Sequence, residues 1–206
     1  MILYKELVNI NVVSFIIKIN VAVFFLWMVG AFTNPEFMMK NFLVSWKGLT
    51  EGRVWTLVTS VFSHNMLFHI FINMYVFYGF GFVLENALGA RRFLLFYLGA
   101  GVFASLCHAL VSAFWLGDGG LQALGASGAI SGVILLYSLM FPDEKLFLFG
   151  IIPIPALMAS ILVVGLDIWG LIQQTKGGSL PIGHGAHLGG ALYGLIYFFS
   201  SIYAKR

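Results

Sequence analysis

Six apolar stretches divide the chain, at about residues 12–32, 66–88, 93–116, 124–141, 147–172 and 185–203. Each approaches the roughly 20 residues that a helix needs to cross a hydrocarbon core about 30 Å thick. A helix also satisfies its own backbone groups in lipid. The pattern therefore predicts six membrane-spanning helices. The later breaks are short and polar: GDGG (117–120) before the fourth stretch, Pro142-Asp143-Glu144-Lys145 before the fifth, and QQTKGGSLP (173–181) before the sixth. Lys18 and Asn20 weaken the start of the first. A cleaved signal peptide competes for that segment. Its apolar part is long, and no clear small-x-small pattern precedes Thr33-Asn34-Pro35, so it is read as a retained span.

The long connection, about 33–63, mixes Phe37, Met38, Met39, Phe42, Leu43, Trp46 and Trp55 with Lys40, Lys47, Glu51 and Arg53. That mixture suits a segment lying in the membrane interface, where tryptophan sits at headgroup level. An ordinary structured loop is the other reading.

Composition agrees with a membrane setting. Of 206 residues, 60% are hydrophobic and 9% charged, with mean hydropathy +0.96. Soluble domains carry about 25% charge. The net charge of +3 is spread without a basic block, which argues against nucleic acid. The single cysteine, Cys107, lies in an apolar stretch and has no intramolecular partner, which suits a buried thiol. With the N-terminus inside, Lys5, Arg91, Arg92, Lys145, Lys205 and Arg206 fall on the inner side. Lys40, Lys47, Arg53 and Lys176 fall on the outer side. This bias favours both termini in the cytoplasm and a multi-pass protein of the cell membrane.

In that orientation the second, fourth and sixth spans run from outside to inside. Ser127, His187, and the group His64, His69 and Asn73 then share one depth near the outer surface. Polar groups at such depth face cavities and are functional candidates. Gly125 and Gly128 clear space around Ser127. Gly128 and Gly132 are four apart, as are Ala186, Gly190 and Gly194, a spacing that lets helix backbones approach closely. The fourth and sixth spans can then pack so that His187 reaches Ser127. Serine needs a base to become a nucleophile, and histidine is the usual one. The same spacing also fits plain packing, with Ser127 bonded to its own backbone. His69 and Asn73 share a helix face and can donate hydrogen bonds, to an oxyanion or to a neighbouring helix. Asp167 is the only acid in the fifth span and reads as a structural or cavity residue. The histidines invite a metal reading, but only His184-x-x-His187 resembles a ligand pair, so no metal is expected. His108 reads as a polar packing residue.

Together these residues resemble the rhomboid intramembrane serine proteases. GASG (125–128) is similar to the family's GxSG, AHLGGALYG (186–194) to its AHxxGxxxG, HNMLFHIFIN (64–73) to its HxxxxHxxxN, and LENALGARRF (84–93) to the end of its second span. The resemblance implies a single all-α domain over 1–206, a six-helix bundle with a long interfacial loop between helices 1 and 2. It implies Ser127 as nucleophile and His187 as general base and acid, a dyad, with His69 and Asn73 at the oxyanion. Gly125, Gly128, Gly190, Gly194 and His64 would support them. A water-filled cavity lined by His64, His69, Asn73, Ser127, Ser131 and His187 is expected. Substrates would be membrane proteins with a helix that unwinds near its outer end; no cofactor is implied. Two departures stand out: Thr56 occupies a position where the family often has arginine, with Arg53 nearby, and Ser131 occupies one where some members have an aromatic residue. Glu85 reads as a structural acid, pairing with Arg91 or Arg92 or capping backbone. The rival readings are a noncatalytic rhomboid-like protein that binds membrane clients, and a small transporter.

Overall fold

The computed structural model describes residues 11–148, 151–178 and 182–202. Lys5, Lys205 and Arg206, used above for orientation, lie outside them. The first helix, α1 (Val12–Thr33), starts where Asn11 accepts the Ser14 N–H at 2.8 Å. The Glu85 carboxylate, arriving from another helix, accepts the N–H groups of Val12 and Val13 at 2.7 and 2.9 Å. Glu85 is thus a cap on α1. Among the described residues no ion pair joins it to Arg91 or Arg92.

The connection after α1 is a folded layer. It holds α2 (Pro35–Phe42), α3 (Trp46–Thr50), α4 (Thr56–Thr59) and a 3-10 turn, Ser60–Phe62. The Trp27 indole donates to Ser63 at 2.5 Å, and the Thr59 hydroxyl donates to the Asn41 carbonyl. Thr56 is buried and donates to the Arg53 carbonyl at 2.7 Å, while Arg53 pairs with Glu51 at 2.8 Å. The layer holds itself together without an arginine at position 56.

Two long helices follow, α5 (Leu67–Leu88) and α6 (Ala90–Phe114), joined at Gly89, whose φ of 83° lets the chain reverse in one residue. Next come α7 (Ser127–Met140), α8 (Ala156–Thr175) and α9 (His184–Tyr197), the last running into a π turn, Phe198–Ile202. Phe77, Leu84, Phe93, Phe96, Tyr97, Val133 and Leu136 form the buried core between α5, α6 and α7.

Among the described residues four helices, α1, α5, α6 and α8, are long and apolar enough to cross a membrane. The fourth and sixth stretches form shorter helices of 14 residues each. The turn at Gly125 (φ 119°) delays α7 until Ser127, and Pro142 follows its end. The fifth stretch does not begin as a helix at 147. Lys145–Leu148 (β1) and Ile152–Pro155 (β2) form an antiparallel hairpin, with Lys145 opposite Pro155 and Leu148 opposite Ile152. Pro153 and Pro155 lack the N–H that a helix interior needs, so α8 starts just past the second proline. The hairpin's base is bonded from Ala156 N–H to the Glu144 carbonyl at 2.7 Å.

Candidate active site

The site rests on a seam with almost no side chains. A Cβ on Gly132 would lie 2.7 Å from the Gly190 carbonyl oxygen, and one on Gly194 would lie 2.6 Å from the Gly132 carbonyl oxygen. A Cβ on Gly190 would fall on the Gly128 carbonyl oxygen. Gly128 in turn faces Ala104 of α6 at 2.6 Å from the same hypothetical atom. The backbones of α7 and α9 therefore touch, as the four-residue spacing anticipates.

This approach sets His187 Nε2 at 2.9 Å from Ser127 Oγ. On the ring's other side, His187 Nδ1 is 2.9 Å from Asp167 Oδ1. His184 Nδ1 meets the same carboxylate oxygen at 2.7 Å. An ionised carboxylate only accepts, so both Nδ1 atoms carry protons toward it. That leaves His187 Nε2 to accept from the Ser127 hydroxyl, the tautomer a general base requires.

The sequence points to a dyad and gives Asp167 little weight as a third member beside His187. The structure brings the acid to it. The available signal was the lone carboxylate of an apolar span, which must find a partner in lipid. His184 was noticed only as half of a ligand pair. The donor atoms of Asp167, His184 and His187 lie within 4.8 Å of one another, a donor set of the kind that can hold zinc. Their separations to Oδ1 are those of hydrogen bonds.

The oxyanion expectation fares differently. Asn73 donates its amide to the His69 carbonyl one turn back on its own helix at 2.8 Å. Among the described residues neither Asn73 nor His69 hydrogen-bonds Ser127. The His69 ring lies over Gly125, where a Cβ would sit 2.7 Å from Cε1. Gly125 is required twice, for that approach and for its positive φ. The first turn of α7 has no side-chain cap, so the N–H groups beginning at Ser127 face outward with the helix dipole behind them.

His64, in the loop ahead of α5, is fully buried, and its Nε2 accepts the Ala126 N–H at 3.5 Å. Burial, with His69 beside it, pushes its pKa down to about 3. A neutral imidazole therefore steadies the residue just before Ser127. His108 bonds the Leu121 carbonyl at 3.2 Å, the packing role expected of it. Half-buried Cys107 packs against Gly189. Ser131 donates to the Ser127 carbonyl at 2.9 Å, a helical back-bond.

A cavity of about 10 Å³ beside the site is lined by Ser131, Ser160, Asp167, His187 and Ala191 among others. That is about the space of one water. Of the residues expected to line a water-filled cavity, Ser131 and His187 line this one.

The rhomboid domain family model matches residues 51–204. The chain is 36% identical over 193 residues to "RHOMBOID-like protein 12, mitochondrial" of Arabidopsis thaliana, covering 88% of this chain and 55% of that protein. It is 35% identical over 191 residues to "Presenilin-associated rhomboid-like protein A, mitochondrial" of Danio rerio, covering 90% and 46%. It is 32% identical over 193 residues to "Rhomboid protein 1, mitochondrial" of Saccharomyces cerevisiae, covering 91% and 52%. The chain spans about half the length of these curated relatives.

Proposed function

The chain belongs to the rhomboid family, and on that premise we propose that it is an intramembrane serine endopeptidase that cleaves membrane proteins within or near a transmembrane helix. The observation that carries this reading is the continuous hydrogen-bonded chain from Ser127 Oγ through the His187 ring to the Asp167 carboxylate. A noncatalytic client-binding protein has no need of a nucleophile, base and acid in line.

His187 Nε2 takes the Ser127 proton as Oγ attacks the scissile carbonyl carbon. Asp167 holds the Nδ1 proton and stabilises the imidazolium that forms. The oxyanion is held by the Ser127 backbone N–H at the start of α7. His69 and Asn73 serve as side-chain donors once the Asn73 amide leaves the His69 carbonyl. The imidazolium protonates the leaving amine, and water, again activated by His187, hydrolyses the acyl-enzyme. No cofactor enters these steps.

Depth follows from helix length. A helix of 14 residues rises about 21 Å against a core of about 30 Å. With Met140 at one surface, Ser127 lies about 9 Å below the other. A substrate must bring an unwound peptide bond to that level, so helix-weakening residues near the cut are expected. Partners are the lipid bilayer and single-span substrates. The chain is an integral multi-pass membrane protein. Its relatives carry mitochondrial names, which runs against the cell-membrane placement expected from sequence; we propose only that the start of α1, capped by Glu85, lies on the face away from Ser127.

The test is co-expression with a panel of single-span proteins, comparing wild type with Ser127→Ala and His187→Ala. Cleavage by wild type alone, with all three proteins folded, supports the reading. Cleavage that persists without Ser127, or client binding with no cleavage and no serine labelling by a fluorophosphonate, overturns it.

A further inference from the structure

His184 takes no part in the reaction as written, yet its position is tightly specified. It opens α9, three residues before His187, and its side chain is buried. Its Nδ1 contacts the same Asp167 oxygen that receives His187 Nδ1. The space for the ring comes from Gly170, one turn beyond Asp167 on α8, where a Cβ would fall on His184 Cε1 and Nε2. Among the described residues Nε2 itself is buried without a hydrogen-bond partner. Burying an imidazole with one nitrogen unsatisfied is unfavourable, so packing alone is a poor reason for a histidine here. Among the described residues the Nδ1 bond is the side chain's one hydrogen bond.

We propose that His184 is a positioning residue for the proteolytic reaction: it fixes the Asp167 carboxylate so that its Oδ1 stays on His187 Nδ1. A carboxylate held by a single imidazole can swing about its own side-chain torsions. Two donors on one oxygen, from two positions of one helix, define where that oxygen sits relative to α9. The acid and base then keep their alignment while α8 meets lipid and substrate. Asp167-x-x-Gly170 on α8 and His184-x-x-His187 on α9 act as one module. This inference rests on the protease reading above.

The chemistry provides a discriminating pair of variants. In asparagine, Nδ2 is as many bonds from Cβ as histidine Nδ1 is. In glutamine, Nε2 corresponds instead to histidine Nε2, which faces Gly170. The full chain is purified in detergent, and three quantities are measured: the rate of Ser127 labelling by a fluorophosphonate, kcat and KM on a cleavable single-span substrate, and the thermal midpoint. His184→Gln and His184→Ala are expected to lose about 10–100-fold in labelling rate and kcat with KM unchanged. His184→Asn is expected to stay within about threefold of wild type. Rates are scored on the folded fraction.

Equal rates for the Asn and Gln variants overturn the proposal, as does a wild-type rate for His184→Ala. If neither Ala nor Gln yields folded protein, His184 is structural and the proposal also fails. If wild type labels no better than Ser127→Ala, the protease reading itself has failed, and the inert wild type marks that case apart.

Discussion

Replacing Gly132 by alanine tests the α7–α9 seam with a single methyl group. The new Cβ would lie 2.7 Å from the Gly190 carbonyl oxygen, which is backbone and cannot turn aside. An ordinary C···O contact is about 3.3 Å, so the two helices must part by roughly 0.6 Å. The Ser127–His187 bond of 2.9 Å bridges the same two helices only five residues away. Widened by that amount it reaches about 3.5 Å, at the edge of any hydrogen bond. Misplacing a reacting group by about 1 Å can cost about 10²-fold, so a loss of about 10–100-fold in kcat is expected. Overpacking should also lower stability by about 1–3 kcal/mol. The assay is fluorophosphonate labelling and substrate cleavage in detergent, alongside thermal unfolding. Gly79→Ala on α5 is the control, because a Cβ there meets nothing within 4 Å. A folded Gly132→Ala protein that labels within twofold of wild type would refute the coupling between seam and site.

Three further outcomes are expected. Asp167→Asn removes the negative charge beside His187 Nδ1 and offers an amide N–H that favours the wrong imidazole tautomer, and should lower kcat by about 10²–10⁴-fold with little change in KM, read from cleavage kinetics. Glu85→Gln weakens the carboxylate cap on Val12 and Val13, and should cost about 1–2 kcal/mol in thermal unfolding while leaving Ser127 labelling intact. For His64, the folded pKa of about 3 lies below its ordinary 6.5, so the unfolded chain binds the extra proton. Its contribution to stability is present above about pH 6.5 and lost as pH falls toward 3. Thermal midpoints measured between pH 7 and 4 should drop less in His64→Gln than in wild type, and an identical drop would count against this assignment.

Much of the architecture was readable because apolar runs and small-residue spacing report directly on burial and close approach. Ser127 and His187 were legible for that reason: Gly128, Gly132, Gly190 and Gly194 mark a backbone contact, and a contact fixes distance. Asp167 was not legible as their neighbour. Its 20-residue separation from His187 passes through a turn whose length does not encode which face of α8 looks inward. Gly170, three positions beyond the acid on the same helix, was the local hint. The hairpin was hidden because hydropathy alone cannot separate a short apolar strand from a helix, although Pro153 and Pro155 were visible breakers. Asn73 shows a different limit. Spacing correctly paired it with His69 on one face, but it could not tell that the amide would bond its own helix.

The β1–β2 hairpin links the helix bearing Ser127 to the helix bearing Asp167. Its base, closed by the Ala156 N–H on the Glu144 carbonyl, ties the start of α8 to the segment that follows α7, and Ile151 beyond the paired stem is 79% exposed. A rung added beyond Leu148 and Ile152 would extend the stem away from that closure and leave the acid and the nucleophile in place. An epitope or fluorophore attached at the exposed Ile151 would ride outside the tie between the two helices, which makes that residue a natural handle for immobilising or imaging the protein.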